Sequence, residues 1–168
     1  MSFQILNYHG TAEEDLEITS LLARVFVGEG YTEKSSAEKI FALAELQKRG
    51  EIMLARSPTG KLLGMVIFVL PTSPARQVAE EDEAEIHLLA VYPEARGQGV
   101  ASRLIMACER RAVSSGYSKM VLSTQPTMTE AHRVYEQLGY RRNPIRDWSS
   151  KKGTDGNSKI YFVYEKRL

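Results

Sequence analysis

Cys108 is the only cysteine among 168 residues, so no disulfide can form within the chain and nothing calls for an oxidising compartment. A reducing cytoplasm is the natural expectation. Long apolar runs are also missing. The longest, residues 62–70, is about half of what spans a bilayer, and residues 1–10 lack the basic segment and apolar stretch of a secretory leader. Neither membrane insertion nor secretion is expected. Neither sign of charge dominates: 22 basic residues stand against 21 acidic ones, with no dense basic cluster, so nucleic-acid binding has no support from charge. Three scattered histidines and one cysteine offer no metal-ligand spacing, and no metal is expected.

The chain does contain a sizeable core. With 43% hydrophobic side chains it can bury most of the surface its unfolded form exposes, and no repeat or low-complexity linker divides it, so residues 1–168 read as one domain. Its apolar periodicity switches several times. A short strand at 3–8 is followed by helical spacing in Ile18, Leu21, Leu22, Val25 and Phe26. That spacing resumes in Ile40, Phe41 and Ala44 after a break at 28–30. Strands at 52–56 and 62–70 flank Ser57-Pro58-Thr59-Gly60, a hairpin turn. Residues 71–83, polar, proline-containing and finally acidic, predict a mobile surface connection into a strand at 84–91. Val100, Leu104, Ile105, Cys108 and Ala112 mark a helix ending near Gly116. A buried strand at 120–124, a helix with the stripe Ala131, Val134, Tyr135 and Leu138, and strands at 140–148 and 160–166 complete the order. This is a mixed α/β layer fold with about seven strands and four helices.

The chemically informative stretch runs from Val91 to Ala101, where a strand ends, a turn forms and a helix begins. Gly97 and Gly99 let the main chain approach a ligand without Cβ interference, and the first N–H groups of a helix lack internal partners and carry the positive end of its dipole. A diphosphate suits that place. A hydrogen bond to a charged acceptor contributes about 1.5–3 kcal/mol against roughly 0.3–1 for the exposed dipole, so the amides decide affinity. Two glycines before a helix equally describe a plain flexible turn. A dinucleotide fingerprint would need a sixth-position glycine, where Ser102 stands, and an acidic residue after the next strand. A nucleotide P-loop would need a lysine followed by serine or threonine.

Arg96-Gly97-Gln98-Gly99-Val100-Ala101 resembles the Q/R-x-x-G-x-G/A motif of the GNAT superfamily of acyl-CoA-dependent N-acyltransferases. Residues Glu85 to Val91 resemble that family's fourth strand, and Ala131 to Tyr140 its A-x-x-x-Y-x-x-x-G-F/Y helix. The three segments cover about a third of the chain, in the family's order. The resemblance implies a central, twisted, mostly antiparallel mixed sheet flanked by helices. It also implies acetyl-CoA as cosubstrate and transfer of its acetyl group to a primary amine by direct attack in a ternary complex. Leu89, Ala90, Val91, Arg96, Gly97, Gln98, Gly99, Val100, Ala101 and Ser102 are then the cofactor-binding residues, with main-chain N–H groups at 89–91 facing the thioester oxygen. Homodimerisation is plausible by the same analogy. Met128 departs from the family pattern, which often has an asparagine there; Thr127 and Thr129 could replace its contact, or simply cap the next helix.

Amine acetylation requires a neutral nucleophile, and an alkylamine with pKa near 10.4 is only about one part in a few thousand neutral at pH 7. By the resemblance, Tyr135 is the acid that protonates the departing thiolate, although its place on an apolar stripe equally describes a packing residue. Glu85 corresponds to the carboxylate that some relatives use as a base, but it also ends the acidic run 80–83 and could be a solvated charge. His87 falls on the same strand face and has a suitable pKa. Cys108, on the apolar stripe of its helix, reads as a buried thiol and not a nucleophile. Two other readings stay open: a coenzyme-A-binding module without turnover, and transfer from a longer acyl-CoA. The resemblance implies that the acceptor site is shaped by segments 28–32, 71–83 and 147–158, with Tyr31, Tyr92 and Trp148 as candidates to line it.

Overall fold

The computed structural model describes residues 2–151 and 156–168. Residues 152–155, within the 147–158 segment expected to shape the acceptor site, lie outside the described residues. The strands are β1 (Gln4–Asn7), β2 (Glu51–Arg56), β3 (Leu62–Val69), β4 (Glu83–Val91), β5 (Lys119–Thr124), β6 (Arg141–Arg142), β7 (Trp148–Ser149) and β8 (Ile160–Arg167). They form one sheet in the order β1-β2-β3-β4-β5-β8-β6, with β7 paired to β8. Every pairing is antiparallel except β4 with β5. Parallel neighbours need a long crossover, supplied here by α4 (Val100–Ser114).

Alternation along the strands divides the core between two faces. Met53, Ala55, Leu63, Val66 and Phe68 pack with Leu104, Ile105, Cys108 and Ala112 of α4 and with Tyr135 of α5 (Thr129–Gln137). Ile52, Leu54, Met65, Ile67 and Val69 pack on the other face against Ile18, Leu21 and Leu22 of α1 (Ala12–Leu22) and Leu46 of α3 (Leu43–Arg49). Strand β3 is buried throughout, which explains why residues 62–70 read as a continuous apolar run and not as an alternation. Leu104 is fully buried, and truncating it to alanine would cost about 2–5 kcal/mol.

Several local expectations are corrected. The second helix is two short ones, α2 (Lys34–Ile40) and α3, with the break at Phe41 and Ala42; the chain turns there with Phe41 buried against Phe26, ring centroids 5.7 Å apart. Five α-helices result among the described residues. Helix α1 begins at Ala12, earlier than its apolar stripe, because Thr11 and Glu14 form a reciprocal capping box. It continues into a π-helical turn, Ala23–Val27. The strand expected at 140–148 is reduced to two-residue pieces around a 3₁₀ turn, Pro144–Arg146, where proline removes a ladder donor. Neither Thr127 nor Thr129 is the N-cap of α5; Met128 holds that position without a side-chain bond.

Segment 71–83 is clamped where a mobile connection was expected. The N–H groups of Gln77, Val78 and Ala79 donate to the Glu85 carboxylate, Arg146 donates to the Val78 carbonyl, and the Ser73 hydroxyl donates to the Arg49 carbonyl. The acidic run is likewise not all solvated rim: Glu83 and Glu85 are buried.

Candidate active site

Strands β4 and β5 pair from Glu83↔Lys119 to Ile86↔Leu122 and then part. A bulge in β4 accompanies the separation. The β3 register runs from Ile67↔His87 to Met65↔Ala90, so Leu88 and Leu89 oppose the single residue Val66. Leu88 takes φ +49°, a left-handed conformation that costs a leucine about 1–2 kcal/mol. The gap beyond the carboxyl ends of two parallel strands is where α/β sheets bind ligands.

Two clefts open there. The first, about 490 Å³, lies between the β4–α4 turn and α5; Leu89, Val91, Arg96, Gly97, Gly99, Val100, Ala101 and Ser102 line it. These are eight of the ten residues expected at the cofactor. Ala90 is buried in the core, and the Gln98 side chain turns back to donate to the Glu94 carbonyl at 3.2 Å, so neither lines the cleft. Gly97 and Gly99 have φ +74° and +78°, a conformation that glycine adopts without the Cβ penalty. The first main-chain bond of α4 runs from Arg103 N–H to the Gly99 carbonyl at 3.0 Å, which leaves the N–H groups of Val100, Ala101 and Ser102 without partners inside the helix. At Gly64 a Cβ would meet the Ala90 carbonyl at 2.7 Å and Val100 Cγ1 at 3.2 Å. This glycine therefore sets how closely the start of α4 approaches the sheet.

The remaining walls of the first cleft, among them Val25, Phe26, Glu29, Tyr31, Met128, Glu130, Val134 and Gln137, come from the π-helical turn, its following loop and α5. Tyr31 thus faces this cleft, while Tyr92 lines neither cleft. Arg96 donates to Glu29 at 2.7 Å and lies 3.6 Å from Glu130.

The second cleft, about 370 Å³, lies on the other side of the strand gap and includes Arg49, His87, Ser123, Tyr135, Lys159 and Tyr161. Trp148 stands behind it, stacked on Tyr161 with centroids 4.5 Å apart and its indole N–H on Ser123 Oγ at 2.9 Å. Phe26, Leu89, Met128 and Ala131 line both clefts, so the two meet at the bulge.

Tyr135 is buried between Tyr140 and Tyr164, with centroids 6.1 and 5.9 Å away. Among the described residues no group hydrogen-bonds its hydroxyl. Burial pushes its phenol above the ordinary value, so it stays protonated.

Glu85 and His87 do share a strand face, with Nε2 3.0 Å from Oε1. Glu85 is fully buried and lines neither cleft; its oxygens take His87 and the three N–H groups of 77–79. His87 lines the second cleft, but Arg49 Nη1 lies 3.2 Å from its Nδ1. A guanidinium only donates, so Nδ1 accepts and the ring hydrogen sits on Nε2, facing Glu85. Neither imidazole nitrogen is free to take a proton from a ligand. Cys108 is fully buried in the core, and burial pushes its thiol up. The acidic cluster Glu80, Asp82 and Glu83 has metal-like proximity, but Glu83 is committed to Arg146 and Lys119.

The description of the acetyltransferase (GNAT) family matches residues 16–140, a stretch that includes both the glycine turn and Tyr135. The chain belongs to the GNAT acetyltransferase family. Its mixed sheet with the β4–β5 gap is the GNAT fold. Among curated proteins, N-acetylaspartate synthetase of Danio rerio is 30% identical over 88 residues, 51% of this chain and 31% of that protein. Aminoalkylphosphonate N-acetyltransferase of Salmonella typhimurium is 37% identical over 62 residues, 37% of this chain and 40% of that protein. The chain thus matches about a third of the length of these relatives. The PaiA N-acetyltransferase of Thermoplasma acidophilum, solved in complex with coenzyme A, superimposes with a TM-score of 0.70 over 100% of both chains at 18% identity; at that identity the likeness concerns the fold. Among the described residues, no helix of this GNAT chain is long and apolar enough to cross a membrane.

Proposed function

We propose that this chain, acting as one domain, is an N-acetyltransferase that moves the acetyl group of acetyl-CoA directly onto the primary amine of a small molecule. The observation that carries this reading is the meeting of two clefts at the β4 bulge, one floored by unpartnered helix N–H groups and the other holding Tyr135. The pyrophosphate would lie on the N–H groups of 100–102, as these donors outweigh the dipole. The pantetheine arm would follow β4 past Val91 to Leu89, where the bulge frees main-chain donors for the oxyanion. The amine would enter from the second cleft and attack the thioester carbonyl. Tyr135 would then protonate the departing thiolate.

The assignment of Glu85 shifts from base to positioning residue. It holds His87 on one side and residues 77–79 on the other, and with both imidazole nitrogens engaged, water in the acceptor cleft is the better proton acceptor. Met128, at the junction of the clefts, offers an apolar thioether where an asparagine would offer an amide, so cofactor-arm recognition falls to the main chain.

The test is release of free coenzyme A thiol from acetyl-CoA with a panel of amines, beside calorimetric titration of coenzyme A. Turnover with at least one amine is expected. Gly99→Glu, which adds bulk and negative charge at the helix start, should abolish coenzyme A binding. Unchanged affinity in the folded variant would overturn the cofactor assignment.

A further inference from the structure

Among the described residues, the half-buried cations follow a rule with two exceptions. Arg56, Arg96, Arg111, Lys119, Arg142, Arg146 and Lys166 each meet a carboxylate, namely Glu17, Glu29, Glu51, Glu83, Asp147, Glu83 and Glu109 in turn. Arg49 and Lys159 are equally half-buried, yet among the described residues neither has a carboxylate partner. Both line the acceptor cleft.

Their surroundings explain why, among the described residues, no carboxylate pairs with them directly. Arg49 ends α3 and donates to His87 Nδ1; the carboxylate beyond that ring, Glu85, is filled by its own donors. Glu45, one turn back on α3, is taken by Lys48 at 2.9 Å on the surface. Lys159 gives its ammonium to the Tyr31 carbonyl, a neutral acceptor. The only carboxylate among the described residues lining the cleft is Glu33, which is exposed, whereas Arg49, Lys151 and Lys159 contribute positive charge. Withdrawing a cation from water without a direct ionic partner is costly, and burial pulls the Arg49 guanidinium below its ordinary value, outweighing the opposing charges of Glu45 and Glu85, though a guanidinium remains charged. The Glu85–His87–Arg49 chain holds the donor in place all the same, a preorganised receptor without its anion.

We infer that the acceptor is a small amine that also carries a carboxylate or phosphonate, bound by Arg49 and Lys159 while its amino group reaches Leu89 and Tyr135. The inference rests on the acyl-transfer reading and names its substrate class. Polyamines are disfavoured in this cleft by like charge.

The experiment compares matched acceptors that differ only in the anion: β-alanine with β-alaninamide, 2-aminoethylphosphonate with ethanolamine, and 1,3-diaminopropane as the cationic case. In the unmodified protein the anionic member of each pair should have a kcat/KM at least about tenfold higher. Arg49→Ala should lower that ratio by about ten- to hundredfold, chiefly through KM, with Arg49→Lys recovering part of it. Lys159→Gln, outside the Glu85–His87–Arg49 chain and so safer for folding, should lower it severalfold. Equal or better use of the neutral and cationic amines would overturn the inference while leaving acetyl transfer intact. Should no amine turn over, calorimetric titration with N-acetyl-β-alanine and its amide decides separately. Selective, Arg49-dependent binding of the anion would uphold the receptor although the transferase reading failed, and no selectivity would overturn it.

Discussion

Glu29 and Arg96 face each other across one wall of the first cleft, carboxylate to guanidinium at 2.7 Å. Glu130 adds a second carboxylate 3.6 Å from the same side chain, so the arginine that begins the glycine turn is already paired. Glu29→Gln should free Arg96 for the cofactor phosphates and remove a repulsive charge. Affinity for coenzyme A should rise about two- to fivefold, the scale of a partly exposed charge pair, and the gain should shrink as salt is raised. Isothermal titration at two ionic strengths measures it, and weaker binding would show that the ion pair builds the cleft instead of competing within it.

Tyr135→Phe removes the hydroxyl and keeps the ring between Tyr140 and Tyr164, so folding should survive. Acid catalysis contributes about 10²–10⁴ in general, but burial raises this phenol and makes it a weaker acid. The expected loss in turnover is therefore about ten- to a hundredfold, with little change in coenzyme A affinity. Because the raised phenol stays protonated, the unmodified protein should show no alkaline fall in kcat from this group up to about pH 10. Unchanged turnover in Tyr135→Phe would make it a packing residue.

For Glu85→Gln the pH profile separates two roles. A general base would matter most near neutrality, where the amine is largely protonated, and least at alkaline pH. Glu85 lines neither cleft and anchors residues 77–79 and His87, so the loss should be about the same factor at every pH from 6.5 to 9.5. A deficit that vanished at high pH would restore it as the base.

Acid should unfold the protein partly through Glu83. Burial alone would raise this carboxyl, but the Arg146 guanidinium, the Glu80 N–H and Lys119 more than offset it and hold the pKa at about 2 against an ordinary 4.5. With the folded value depressed, the stabilisation is present in full above about pH 4.5 and is lost as pH falls towards 2. Denaturant midpoints should drop across that window for the unmodified protein. For Glu83→Gln the midpoint should be lower at pH 7 and the dependence between pH 5 and 2 shallower; a parallel profile would assign the acid sensitivity to other carboxylates.

Local chemistry was enough to place the glycine turn before α4, because Gly97, Gly99 and the start of the helix lie within a few residues and the conformations they take are set locally. The hairpin at 57–60 and the helix ends at Gly116 and Gly139 were legible for the same reason, and so was the shared face of Glu85 and His87, which strand alternation dictates. The capping box that begins α1 is equally local, held in Thr11 and Glu14 ahead of the apolar stripe that marks the helix.

Other features depend on contacts between distant segments. The sequence alone marked Glu85 as a possible base, but only the folded chain brings the amides of 77–79 and the His87 ring around it and turns it inward. The bulge at Leu88 follows from the register between β3 and β4, which no short pattern encodes. Arg49, one charge among many in the sequence, stands out only once α3 carries it against His87 in a cleft where, among the described residues, no carboxylate pairs with it. Periodicity and turn chemistry act over a few residues and therefore survive in the sequence, whereas the pairing of charges is decided by which segments the core brings together.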